Sequence, residues 1–192
     1  MSQSYRLDVL MNNAGVMAQP AGLTEDGYEI QFGSNYMGPA LFTRLLLPAL
    51  RSTAERPSSD VRVINLSSDL ARYGQSKLAD YYHTTTMARQ YPEIKFVAVH
   101  PGVVNTGLFD DFRKRRPYVG AVVSALSSLF LTGVEQGAIA QLWASTAPTH
   151  DVRSGGFYNP SLKEYRHALL ENEKLAQELE EWTEAEFRGK GF

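Results

Sequence analysis

Tyr73 and Lys77 stand four residues apart. On a helix, that spacing puts both side chains on one face, one turn apart. A free tyrosine has a pKa of about 10, so its phenol is neither a ready acid nor a ready base near neutrality. A lysine ammonium one turn away favours the phenolate and lowers that pKa. The pair can then move a proton to or from an alcohol oxygen at physiological pH. Alone the pair is a weak signal, because Tyr-x-x-x-Lys recurs in ordinary helices as a half-exposed ring beside a solvated lysine.

The elements that must position the pair sharpen the reading. Val61-Arg62-Val63-Ile64-Asn65-Leu66 is a β-branched run that reads as a buried strand, and it ends in Ser67-Ser68. A strand ending in hydroxyls and followed directly by a helix bearing Tyr and Lys sets all three types at the carboxyl edge of a sheet. That edge is where open α/β folds bind ligands. Leu7-Asp8-Val9-Leu10-Met11 is a second apolar strand, running into Asn12-Asn13-Ala14-Gly15, and Lys95–His100 is a third, delivering Pro101-Gly102. Continuous apolar character in these runs points to a parallel sheet covered on both faces.

These residues resemble the short-chain dehydrogenase/reductase family, most closely its retinol-dehydrogenase-like and fungal branch. The resemblance rests on NNAG at Asn12, Asn13, Ala14 and Gly15, on Asn35 within Ser34-Asn35-Tyr36-Met37-Gly38, on the Ser68/Tyr73/Lys77 set, and on Pro101-Gly102-Val103-Val104-Asn105-Thr106. It implies a Rossmann-like, doubly wound parallel sheet in a three-layer α/β sandwich. It implies an NAD(P)-dependent oxidoreductase interconverting a carbonyl and an alcohol. In that scheme Tyr73 is the general acid or base, and Lys77 lowers its pKa and holds the ribose. Ser68 hydrogen-bonds the substrate oxygen, and Asn35 anchors a water linked to the lysine. Asn12 to Gly15 lie beside the adenosine part of the cofactor. Pro101, Gly102, Val104 and Thr106 line the nicotinamide. The branch tends toward NADP, with NAD left open, and the substrate class is a small apolar alcohol, aldehyde or ketone.

Composition bounds the rest. The 192 residues suffice for one domain with a core, and 43% hydrophobic content with a net charge of −2 reads as globular. That balance offers no basic footprint for nucleic acid. There are no cysteines, which excludes disulfides, thiolate chemistry and cysteine metal sites. The four histidines, His83, His100, His150 and His167, lack metal-ligand spacing, so no metal is expected. The first residues show no basic-then-apolar leader, and a cytoplasmic setting is expected. The most apolar stretch, Val119 to Leu131, is broken by Gly120 and three serines and is shorter than the about 20 residues a spanning helix needs. With the basic run Arg113–Arg116 it reads as a substrate-loop region, and membrane association is not expected.

Further elements follow from pattern. Thr24 reads as the N-cap of a helix carrying through Phe32, and a long helix runs from about Asn35 to Ser52 with Pro48 inside it. The helix bearing Lys77 ends near Gln90, before Tyr91-Pro92. Another helix runs from about Thr132 to Thr146, and Gly155–Tyr158 is a short last strand. Asn172 to Phe187 is an amphipathic helix with Leu175, Leu179 and Trp182 at helical spacing, a packing element that could join copies of the chain into a homo-oligomer.

Two departures from the family pattern leave a second reading open. Only six residues precede the first strand, and no glycine-rich turn for a pyrophosphate stands near the start. On this reading, residues 1–192 form a single, partial, N-terminally truncated dinucleotide-binding domain. Only Asp69, Leu70, Ala71 and Arg72 separate Ser68 from Tyr73, where the family has a longer loop. Ser67 is therefore a fallback for Ser68. The alternative is a catalytically inactive remnant that associates with another protein through its raw sheet edge.

Overall fold

The computed structural model describes residues 6–17, 19–67, 75–102, 133–166 and 168–192. Among the described residues four strands form one sheet in chain order: β1 (Val9–Asn12), β2 (Arg62–Leu66), β3 (Lys95–Val99) and β4 (Phe157–Tyr158). All neighbours run parallel, with Val9 opposite Arg62, Ile64 opposite Val97, and Ala98 opposite Phe157. The helices are α1 (Ile30–Phe32), α2 (Gly38–Ala54), α3 (Gln75–Gln90), α4 (Val134–Thr146) and α5 (Glu173–Gly189).

Parallel strands need covering on both faces, and the alternation of side chains supplies two apolar surfaces. Leu10, Val63 and Phe96 face Leu46, Leu47 and Leu50 of α2 and Met87 of α3. Ile64, Val97 and Val99 face Ala140 and Ala144 of α4, with Val152 and Tyr158. Helices therefore lie on both sides, giving the expected three-layer α/β sandwich. Each fully buried Val, Ile, Leu or Phe in these layers contributes about 1.5–3 kcal/mol. Arg62 shares the α4 face of β2 and is buried, with both guanidinium Nη atoms engaged. Its guanidinium donates to the carbonyls of Ala144 (2.8 Å) and Ala147 at the end of α4 and pairs with Asp60. It thus satisfies carbonyls that the end of a helix leaves without partners.

Two expected elements differ. Thr24 is not an N-cap. Leu23 and Glu29 form an antiparallel bridge, the Thr24 N–H donates to the Tyr28 carbonyl while the Tyr28 N–H donates to Thr24 Oγ1, and the chain turns through Gly27 at φ +87°. A positive φ is costly for other residues and breaks a helix, so Asp26-Gly27 closes a small loop instead. The cap is Glu29, whose carboxylate accepts from the N–H groups of Gln31 (3.0 Å) and Phe32 (2.8 Å). The following helical path is continuous from Ile30 and passes through a π-turn, Gly33–Met37, before α2. Asn35 therefore lies inside a widened turn and not at a helix start. Gly33 makes the loop's close approach feasible, since a Cβ there would lie 2.5 Å from Thr24 Cγ2.

The buried stripe of α5 also differs from the expected one. Leu175 and Trp182 remain 45% and 41% exposed, while Ala176, Glu180, Thr183 and Phe187 are buried. Those four follow helical spacing, but two are polar, so hydropathy alone selects the wrong face. Thr183 shares a hydroxyl–hydroxyl bond of 2.7 Å with Tyr36, and Glu180 lies 3.2 Å from His83 Nδ1. Burial raises the Tyr36 phenol well above its ordinary value. Trp182 packs on the rings of Tyr28 and Phe32, and Leu179 fills the gap between α3 and the π-turn.

Candidate active site at the carboxyl edge of the sheet

Because the strands are parallel, the segments after β1, β2 and β3 emerge at one edge. After β1, Asn13, Ala14 and Gly15 are exposed, and Asn12 is half-buried. The Asn12 side chain is engaged within the fold, donating to Thr43 (2.9 Å) on α2 and to Asn65 (2.7 Å) on β2. Asn65 in turn donates to Thr84 on α3 at 2.8 Å. This ladder of buried amides and hydroxyls fixes the ends of β1 and β2 against both helices, and its geometric demands specify the register of those groups.

Asn35 joins two parts of this edge. It is buried, its Oδ1 accepts from the Val16 N–H at 2.7 Å, and its Nδ2 donates to the Val16 carbonyl (3.0 Å) and to Ser76 Oγ (3.3 Å). One side chain thereby holds the loop after Gly15 to the first turn of α3. The loop can come this near because Gly15 has no side chain: a Cβ there would stand 3.2 Å from Asn35 Oδ1. The π-turn aims Asn35 across this gap, in keeping with the frequent use of such turns at functional sites.

Lys77 sits next to Ser76 on α3, and its ammonium reaches the end of β2. Nζ donates to the Leu66 carbonyl at 2.6 Å and to Asp80 Oδ2 at 2.9 Å. The clamp is reciprocal, since Ser67 Oγ donates to the Lys77 carbonyl at 2.7 Å and Ser67 N–H to the Val99 carbonyl at 2.9 Å. Ser67, the fallback for Ser68, is buried and its hydroxyl donates to the Lys77 carbonyl. Asp80 is almost fully buried, and burial pushes its carboxyl up to about 7 against the opposing pull of Lys77 and His83. Pro101 and Gly102 follow β3 at the same edge and are half-buried.

The structure thus brings Asn12–Gly15, Asn35, Lys77, Pro101 and Gly102 to one edge of the sheet. Ser68, Tyr73, Val104 and Thr106 lie outside the described residues, as do Arg113–Arg116, Val119–Leu131 and His167. Sequence reasoning missed Val16, Ser76 and Asp80. Asp80 had a legible signal, because Lys-x-x-Asp on a helix places the two charges on one face. Val16 and Ser76 carried none, since they act through a main-chain amide and a common hydroxyl. Among the described residues there is no cluster of His, Asp and Glu able to hold a metal, and no helix is long and apolar enough to cross a membrane.

The model of the short chain dehydrogenase family matches residues 1–117, which include every one of these site residues. The chain belongs to the short-chain dehydrogenase family. A short-chain dehydrogenase/reductase of Emericella nidulans, pkfC, is 37% identical over 177 aligned residues, covering 77% of this chain and 54% of that protein. Mouse retinol dehydrogenase 12 is 32% identical, covering 93% of this chain and 60% of its own length. The chain spans about half the length of the first curated relatives it matches. Among solved structures, an uncharacterised Mycobacterium paratuberculosis protein superposes with a TM-score of 0.68 at 24% identity, covering 96% of this chain and 68% of that one, which supports the fold. The angucycline C-6 ketoreductase LanV, solved with bound NADP, has a TM-score of 0.60 at 26% identity, covering 81% of this chain and 61% of its own.

Proposed function

We propose that this edge of the sheet is the nicotinamide and ribose side of an NAD(P)-dependent oxidoreductase site acting on a carbonyl/alcohol pair. The observation that carries the reading is the placement of Lys77. Its ammonium is held at the end of β2 by Leu66 and Asp80, and its turn of α3 is tied through Ser76 and Asn35 to the loop after NNAG. The fit of the residues to a dinucleotide is chemical. Exposed Asn13, Ala14 and Gly15 offer backbone approach, and an ammonium held near the strand ends suits ribose hydroxyls.

When bound, the nicotinamide supplies the hydride, and the protein supplies orientation and electrostatics. Tyr73, four residues before Lys77 in sequence, would be the proton donor in reduction and the acceptor in oxidation, with the lysine ammonium favouring its phenolate. Ser68 donates a hydrogen bond to the substrate oxygen where negative charge develops. Asn35 holds the Val16 loop and the Lys77 turn in register. Pro101, Gly102, Val104 and Thr106 would hold the nicotinamide end of the cofactor, and Asn12 to Gly15 the adenosine end. NADP is the favoured cofactor, a proposal consistent with LanV having been solved with NADP. The substrate class is a small apolar alcohol, aldehyde or ketone, in line with the retinol dehydrogenases among the relatives.

Titrating the purified chain with NADPH and NADH while following nicotinamide fluorescence tests the reading. Saturable binding that weakens at least tenfold in Lys77→Met is expected. A folded chain whose binding is indifferent to that substitution would remove Lys77 from the site.

A further inference from the structure

An ammonium on a four-carbon stem is a flexible, strongly hydrated charge, and holding it still away from water needs partners. Among the described residues Lys77 has two: the Leu66 carbonyl at 2.6 Å and the Asp80 carboxylate at 2.9 Å. An ammonium has three N–H donors. Two are directed at these groups, and the third is the one that the proposed reaction would use. Asp80 is itself only 5% exposed, one helical turn after Lys77. A carboxylate in that position is not there for solubility, and burying it is costly unless it is paired.

We propose that Asp80 is a positioning residue for Lys77: its buried carboxylate holds the ammonium at the carboxyl end of β2. This deepens the reading of the site given above and rests on it for its meaning in turnover. The pair is tied into the surrounding fold from several sides. Asp80's own carbonyl accepts from Thr84 Oγ1 at 2.7 Å, and Thr84 accepts from Asn65 on β2. Among the described residues, the titratable groups that act on Asp80 are Lys77 and His83 on α3, with Tyr36 on the π-turn also within electrostatic reach. Among these, Lys77 is the one that hydrogen-bonds the Asp80 carboxylate. Burial raises the Asp80 carboxyl, and the charge and hydrogen bond of Lys77 oppose that rise.

The experiment reads the Lys77 amine directly and needs no turnover. The folded chain is pulsed with an amine-acylating reagent over a range of pH, and mass spectrometry follows each lysine. In the wild-type chain Lys77 should label at least tenfold more slowly than Lys174, whose side chain is 85% exposed. Asp80→Asn keeps the shape and a hydrogen-bond acceptor but removes the charge. It should raise Lys77 labelling at pH 8 about tenfold, because the amine loses the charged partner that holds it against the end of β2, and leave Lys174 unchanged. Asp80→Ala should do the same, and Asp80→Glu should restore protection in part. Wild-type Lys77 labelling at the rate of Lys174 overturns the proposal, and so does an unchanged Lys77 rate in the two neutral variants. Lack of NADPH binding would bear on the functional reading and leave this result standing.

Discussion

Truncating Asn35 to alanine should cost about 2–3 kcal/mol of stability, and the structure says where that comes from. Asn35 makes three hydrogen bonds, two to the Val16 main chain and one to Ser76. A stranded donor or acceptor costs about 1–3 kcal/mol when buried. Val16 is half-buried, so water partly replaces its lost partners, and the lower end of that range applies to its N–H and carbonyl. Ser76 is buried, but its bond is long at 3.3 Å and contributes about 0.5 kcal/mol. Urea unfolding of wild type and Asn35→Ala gives the loss. Amide hydrogen exchange locates it: the Val16 N–H should lose protection while Val63 and Val97 in the central strands keep theirs. A double-mutant cycle with Ser76→Ala should give a coupling of at most about 0.5 kcal/mol. A loss under about 1 kcal/mol with Val16 still protected would refute the claim that Asn35 clips the loop to α3.

Three further outcomes follow from separate contacts. Gly33→Ala drives a methyl into Thr24 Cγ2 and should destabilise the chain by about 1–3 kcal/mol, with Thr24→Ser, which removes that methyl, restoring part of the loss in thermal melts. Asp80 has its folded pKa raised above the unfolded value, so the stability linked to its protonated form is fully present below about pH 4 and is lost as pH rises through about 7. Wild type should therefore fall relative to Asp80→Asn between pH 4 and pH 8.5, by at most on the order of 4 kcal/mol, and a pH-independent difference in urea melts would contradict this. Arg62→Met strands the carbonyls of Ala144 and Ala147 and should cost about 2–4 kcal/mol, seen as increased exchange in the last turn of α4.

The strands were legible because each is a β-branched or apolar run long enough to cross a sheet covered on both faces, and their parallel order follows from the helices between them. The positions of Asn35 and Lys77 were legible because motif spacing carries them, and the fold brings both to the expected edge. What escaped the sequence depends on contacts distant in the chain. Glu180 and Thr183 are buried on α5 because His83 and Tyr36 meet them from other elements, and no periodicity of hydrophobic residues announces a polar seam. The loop from Leu23 to Glu29 was misread because acids after Thr24 resemble a first helical turn, while the turn at Gly27 and the space at Gly33 decide otherwise. Asp80 was visible as Lys77's helical neighbour, but its burial follows from the packing of α3 between the sheet and α5.

As proposed, this edge of the sheet would couple proton transfer to hydride transfer from a nicotinamide. The most direct test is NADPH consumption by the purified chain with a panel of small apolar aldehydes and ketones, wild type beside Tyr73→Phe. The account predicts carbonyl-dependent NADPH oxidation in wild type and its loss, by a factor of at least a hundred, in a Tyr73→Phe chain that melts like wild type. Equal turnover in the two chains, or a folded wild-type chain that oxidises no NADPH with any of the carbonyls, would contradict it.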